Sequence, residues 1–446
     1  MQTITRRLAQ LLHASNPADI PPHVLHEAKR ALVNWIGAAV GGCRDDGVKL
    51  ALETISEFAG REQATVIGHR LRLDSLNAAL VNGISSNILD FDDTHARIVV
   101  HPTASIACAL LALSEARRFS GVDFLHGLVL GIEVECRLLD PRVAEYKFGW
   151  SPTTSVAALG AAAACSRVLR LTEQQIAWAL GIAATQASGL RETGGSMSKA
   201  FNAGHAARCG LTAALLAARG FTGAETALEG PKGFISAFGE PREVETIIED
   251  WGDTYHLELN TYKAFPCGIV AHPAICGCLE LHAQGIRSDV IEAVQLTVHP
   301  MAKRLTGRKR PVAPLDAKLS VYHAAAAALV YGRVNVKEFS ARCITDPAVV
   351  HLRDKISVVV NERYARDEAE VELKLTGGRA VKTHIDHAIG SLERPMSDAA
   401  LNEKLRSLAE DVLTADEISE LLARLWSLDR AEDASAIARA AVSASI

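Results

Sequence analysis

From residue 1 to about 264, apolar residues recur at three- and four-residue steps, the repeat that gathers them on one face of an α-helix. This pattern predicts helices over 23–40, 74–89, 103–118, 123–138, 154–168, 173–188 and 204–219. Alanine and leucine fill their apolar positions and aromatic residues make up only 5% of the chain. Small faces let helices approach closely, so the expected packing is a bundle. After "YKAFPCG" the period changes. Residues 291–300 alternate apolar and polar like a half-buried strand, 356–362 is a β-branched run, and 370–375 with 379–385 flank "TGG" as a hairpin would. Past 397 the pattern is helical again, in two segments opening on Ser397 and Thr414, with Glu403 and Glu417 placed for capping boxes.

The expected fold is therefore mainly α: a large discontinuous all-helical bundle domain, 1–264 plus 398–446, with a smaller α+β domain, 265–397, inserted into it. A length of 446 residues supports two cores rather than one. A formal charge of -5 gives no global pull toward nucleic acid or an anionic membrane, so anion affinity has to come from local basic clusters. The nine cysteines are scattered through apolar patterns, as reduced thiols are. Arg6 and Arg7 interrupt the apolar residues at the N-terminus, and no apolar run approaches the roughly 20 residues of a membrane helix. A cytoplasmic chain is expected.

The densest chemistry is "LDFDDTHARIVVHPTAS", 89–105, with Asp90, Asp92, Asp93, Thr94, His95, Arg97 and His101 between two predicted helices. Capping accounts for one or two of these groups, not for all. Aspartate and histidine are proper metal ligands, but no spacing fixes two of them on one helix face, and no metal is expected. In "CGIVAHPAICGC" the Cys and His spacing matches no structural zinc site, and buried thiols are the better reading. "GLRETGGSMSKAFNAGHAARCG" nearly matches a phosphate loop, yet Gly195 stands where the lysine belongs, and its neighbours are helical. What remains is a loop leading into a helix, with Lys199 in its mouth. "EYKFGWSPTTS" places Tyr146, Lys147 and Ser151 before another helix, and "RLTGRKRP" is the most basic run, with Arg304 and Arg308. Basic loops beside neutral polar groups in an acidic protein fit a small polyanionic carboxylate.

"LDFDDTH…HPTAS", "SPTTSVAALGAAAA", "SKAFNAGHAARCG", "YKAFPCGIVAHPAI" and "DAKLS", in this order, resemble the MmgE/PrpD family over nearly the whole chain. The family's activities include dehydration of 2-methylcitrate, decarboxylation of cis-aconitate and epimerisation of iminodisuccinate. The resemblance implies a cleft between the two domains, a homodimer, no cofactor, and Asp90, Thr94, His101, Lys199 and Lys263 as pocket residues. This chain has Ser151 and Gly268 where decarboxylase-like members have histidines, and His323 where a tyrosine is usual. Loss of those imidazoles points to epimerisation, with dehydration or decarboxylation as the alternative, and a non-catalytic carboxylate-binding protein as the alternative of another class. In this reading Lys199 and His101 are the two bases, with Tyr146 able to replace either. Arg97, Lys147, Lys263, Arg304 and Arg308 hold carboxylates; Asp90, Thr94, Ser151 and His323 complete the substrate contacts.

Overall fold

Glycine decides how closely the helices meet. A Cβ on Gly83 would lie 2.3 Å from the Cα of Gly204, and one on Gly131 would lie 2.8 Å from the Gly160 carbonyl oxygen. Both pairs thus cross at backbone contact, which any side chain would prevent. The computed structural model describes residues 3–98 and 100–443, and the fold is mainly α. The predicted helices are present as Pro22–Gly42, Ser75–Ile88, Thr103–Ala116, Gly121–Leu138, Pro152–Val168 and Glu173–Ala184. The seventh begins earlier than its periodicity indicates, at Ser198 rather than 204, and runs to Ala218. Its first turn is polar because it faces a cleft instead of the core.

Three short antiparallel ladders interrupt the helical part, so it is not purely helical: Ala64–Thr65 with Arg72–Leu73, Asp93–His95 with Asn260–Tyr262, and Ala144–Tyr146 with Gly239–Pro241. Such two- and three-residue pairings leave no sequence period to detect. A four-stranded sheet forms in the order Ala380–Ile385, Ala369–Leu375, Ile291–Val298, Ile356–Val360, with only the last pair parallel. Gly377 and Gly378 make its hairpin turn at φ 86° and 80°, in the left-handed region that glycine enters without strain.

One apolar core draws on Ile4 to Tyr262 and again on Leu401 to Ala441; a second draws on Phe265 to Ala388. Near the chain end, Ser397 caps the Asp398–Ala409 helix, and Thr414 with Glu417 closes a capping box on Ala415–Trp426. Glu403 closes none, because Ala400 occupies the third helical position after Ser397. Among the described residues, no helix is long and apolar enough to cross a membrane.

Burial holds several histidines uncharged, His95 and His272 most strongly. Burial lowers His95 and His272 from 6.5 to about 3, and the His272 Nε2 has no hydrogen-bond partner among the described residues. As pH falls below 6.5 the unfolded chain takes up protons that the folded one refuses. Stability should therefore drop from neutral pH toward about pH 4, each of these histidines contributing about 1.4 kcal/mol per pH unit. Asp93 and Glu133, raised by burial to about 6 and about 7, and Glu135, raised well above its usual range, oppose part of this, while His126 and His256, lowered by burial to about 4, add to it. Urea midpoints measured across that range should slope downward on acidification, and His272→Gln should flatten the slope.

Candidate active site

The Ser75–Ile88 helix ends in a turn that aims three carboxylates inward. Asp90 adopts φ 53°, left-handed backbone that aspartate tolerates better than most residues but at a cost of about 1 kcal/mol or more. Its amide still reaches back to the Asn87 carbonyl at 3.0 Å. Asp90, Asp92 and Asp93 are all buried, at 7%, 0% and 0% exposure, and each carboxylate must find partners.

The glycine crossing supplies one. Asn87 lies one turn past Gly83, and Lys199 little more than a turn before Gly204 on the facing helix, so Lys199 reaches this turn. Its Nζ donates to Asp90 Oδ1 at 2.7 Å and to Asn87 Oδ1 at 3.2 Å. The Asp93–His95 ladder supplies a second. Asp93 pairs with Tyr262, so Lys263, one residue on, meets the residues just before Asp93. It donates to Asp90 Oδ1 at 2.9 Å and lies 3.6 Å from Asp92 Oδ1. Asn87 Nδ2 donates to Asp92 Oδ2 at 2.5 Å, and Thr103 and Asn260 donate to Asp93 Oδ2 at 2.5 and 2.7 Å.

Burial by itself would raise the Asp90 carboxyl, but Lys199, Lys263 and His101 outweigh it and hold the group well below the usual range. Asp92 is lowered too, against its own burial, by His101 and the same two lysines. Asp93 has no cation beside it, and burial raises it to about 6. Lys263, which burial would lower, is raised by Asp90 and Asp92.

His101 is oriented by its backbone amide, which donates to Thr153 Oγ1 at 3.2 Å, and by Nδ1, 2.7 Å from the Asp93 carbonyl oxygen. A carbonyl only accepts, so Nδ1 carries the proton and Nε2 the lone pair. Thr94 Oγ1 is 3.3 Å from the same Nδ1, and Thr261 Oγ1 donates to the Thr94 carbonyl at 2.5 Å. Burial lowers His101 from 6.5, Asp92 opposing it, so the imidazole is neutral near pH 7.

His101 and Lys199 line one cleft of about 190 Å³ with Asn87, Ser151, Thr153 and Arg191. Pockets for drug-sized ligands run to about 300–1,000 Å³, so this one suits a small acid. The helices Thr103–Ala116, Pro152–Val168 and Ser198–Ala218 begin around it, none with a side-chain cap, and their positive ends favour an anion. At the rim, Arg191 and Arg304 stack on Phe148, their guanidinium carbons 4.7 and 4.2 Å from the ring centroid. Neither has a carboxylate partner among the described residues. A separate cavity of about 220 Å³ is lined by Thr94, His95, His272, Arg366, Asp367 and Glu393 among others, and its two carboxylates outnumber its single guanidinium, which makes it less suited to a polyanion.

Other expected site residues lie elsewhere. Tyr146 is not brought to Lys199; its hydroxyl donates to the Leu138 carbonyl at 2.5 Å, and burial pushes its phenol up. Lys147 and Arg97 are exposed and do not line the cleft. His323 is fully buried in the second core, with Nε2 2.8 Å from the Glu338 carbonyl oxygen, too far inside to meet substrate. Ser151 does line the cleft, accepting from Thr154 Oγ1 at 3.1 Å. Arg308 pairs with Asp316 and donates to the Gly194 carbonyl at 3.2 Å, tying the 304–316 segment to the loop before Lys199.

Asp90, Asp92 and His101 are close enough to share a metal ion. The donor set does not suit one: Asp90 Oδ1 already accepts from two ammonium groups, and the His101 nitrogen facing the carboxylates carries a proton. Sequence reasoning missed Arg191 as a lining residue, and Lys318 and Lys404 as partners of this turn. Lys404 left one signal, since it falls between Leu401 and Leu405 on the buried face of its helix.

The chain belongs to the MmgE/PrpD family: the family's N-terminal domain matches residues 6–247 and its C-terminal domain residues 265–428. It is 27% identical to cis-aconitate decarboxylase of Homo sapiens, covering 98% of this chain and 94% of that protein, and 26% identical to cis-aconitate decarboxylase of Aspergillus terreus, covering 95% and 93%. It is 24% identical to the mitochondrial 2-methylcitrate dehydratase of Yarrowia lipolytica, covering 68% and 62%. These relatives are named as lyases, and none as an epimerase.

Replacing Asp90 by Asn keeps a residue that accepts left-handed backbone but leaves Lys263, 1% exposed, beside an uncharged amide. Breaking a buried pair from one side costs about 3–5 kcal/mol. Urea unfolding of Asp90→Asn should show a loss of that order, and unchanged stability would mean the pair is not buried as described.

Proposed function

We propose that this protein is a cofactor-independent enzyme that moves a proton at the carbon α to a carboxylate of a small polycarboxylate, with epimerisation, as of iminodisuccinate stereoisomers, as the outcome. The supporting observation is a complementary pair on one cleft: a neutral His101 whose Nε2 makes no hydrogen bond to a described residue, and Lys199 donating to an ionised Asp90. The first is a base and the second an ammonium acid. Removing a proton from one face at His101 and returning one to the other face from Lys199 inverts the carbon without any other group. This differs from a lysine base, since Lys199 serves here as the donor, as it does toward Asp90 Oδ1. Charge growing on the substrate carboxylate would meet Lys199, the three helix ends and Arg191, which act most strongly as the carbanion forms.

The same pair serves a lyase. His101 could take the proton and Lys199 protonate a departing hydroxyl, or Lys199 could protonate the carbanion left by loss of carbon dioxide. The names of the relatives favour that second reading; the absence of further imidazoles at Ser151 and Gly268 favours the first.

Both are tested by incubating the protein in heavy water with R,R-iminodisuccinate, citrate, 2-methylcitrate and cis-aconitate. Epimerisation is expected to give deuterium at the α-carbon and mixed stereoisomers on chiral separation, lost by at least about a hundredfold in His101→Ala and in Lys199→Ala. Release of carbon dioxide or a new ultraviolet band without stereoisomer interconversion would replace the epimerase by a lyase. No exchange with any of these acids would sink the enzymatic reading for this class.

A further inference from the structure

The turn carrying Asp90 is gripped from behind. Lys318 Nζ donates to the Ile88 and Leu89 carbonyls at 3.3 and 2.5 Å, Lys263 Nζ to the Asp90 carbonyl at 3.0 Å, and Lys404 Nζ to the Phe91 carbonyl at 2.8 Å. Four consecutive peptide carbonyls are thus each met by a lysine. Lys404 also donates to the Lys263 carbonyl at 2.8 Å and to Asn34 Oδ1 at 2.7 Å, and lies 3.7 Å from the centre of the Phe91 ring. Lys318 and Lys404 are 6% and 8% exposed, and neither forms an ion pair among the described residues. Burial, with Lys263 adding to it, holds Lys404 well below the usual lysine range, so placing these amines against carbonyls is an expensive way to satisfy a turn that backbone amides or water could serve.

The two lysines arrive from different parts of the chain. Lys318 follows the Pro314–Ala317 helix in the 265–397 part, and Lys404 sits on the Asp398–Ala409 helix of the returning tail. We propose that Lys318 and Lys404 are positioning residues that hold the 88–91 turn with Asp90 in its left-handed conformation, so that Asp90 presents its carboxylate to Lys199 only while both segments are docked. The inference rests on the assignment of Lys199 and Asp90 to the site, not on which reaction they perform. Lys318 also borders a narrow recess with Asp90 and Lys199, so its charge is felt at both. Burial, with Lys199 and Lys263 adding to it and Asp90 opposing, lowers Lys318 to about 8, which makes the grip weaken in mildly alkaline solution.

The test reads the pair directly rather than through turnover. Trace acylation of the intact protein, followed by peptide mass spectrometry, compares Lys199 with the exposed Lys232 as internal reference. In Lys318→Met the Lys199 rate should rise about tenfold relative to Lys232, because an amine no longer tied to the Asp90 carboxylate by a hydrogen bond is freer to meet the reagent. Hydrogen exchange over 86–95 should accelerate while the Gly121–Leu138 helix stays protected, and Lys318→Arg, which keeps charge and donors, should fall between. Lys404→Met should act on the same two readouts, and wild-type Lys199 acylation should climb through about pH 8 more steeply than in Lys318→Arg. Should Lys318→Met not fold, Lys318→Arg against wild type carries the comparison. Wild-type acylation and exchange at 86–95 in both lysine variants would overturn the proposal, as would exchange rising equally through every helix, which marks a general packing role. If no polycarboxylate undergoes exchange in the wild type, the proposed reaction fails while these measurements still decide the positioning role.

Discussion

Everything in the cleft depends on neutralising two carboxylates that have been taken out of water. Asp90 and Asp92 are buried on one turn, and an unpaired buried carboxylate would cost several kcal/mol and take up a proton. Lys199 and Lys263 prevent that by converging on Asp90 Oδ1. The ion pairs are not there primarily for stability, because well-packed apolar groups would do as well or better. They keep an ammonium group fixed at the edge of a cleft, where Lys199 remains 32% exposed while its partner is almost covered.

That constraint explains several features that look unrelated. The left-handed Asp90 aims a carboxylate at a helix that could approach only because Gly83 faces Gly204. The three-residue ladder contributes little by itself, yet it sets the register that brings Lys263 under the same carboxylate. The tail rejoins the first core and adds Lys404 to the turn's back, so the discontinuous core and the site share one joint.

The electrostatics also separate this cleft from the neighbouring cavity. Helix ends, Lys199 and the two guanidinium groups on Phe148 favour several negative charges on a short molecule. The named relatives act on cis-aconitate and on 2-methylcitrate. Differences among such reactions reside in few atoms: which group gives a proton, which takes one, and from which side. Ser151 in the cleft wall offers a neutral hydroxyl there.

Periodicity determined the helices, the hairpin and the change of character near 265, because those are properties of ten to twenty neighbouring residues. The crowded 89–105 segment also announced polar chemistry, since capping could not use so many groups. Direction was not legible there. Tyr146 and His323 have the right functional groups, but one hydroxyl turns to the Leu138 carbonyl and one imidazole is sealed against Glu338. Lys318 and Lys404 stand 229 and 313 positions from the carbonyls they hold, beyond any local pattern. The sequence by itself determined which residue types were available and which of the long periodic segments would be helix or strand. Only the tertiary structure decided which charges meet, because an ion pair is fixed by a few ångströms of packing between segments that share no periodicity.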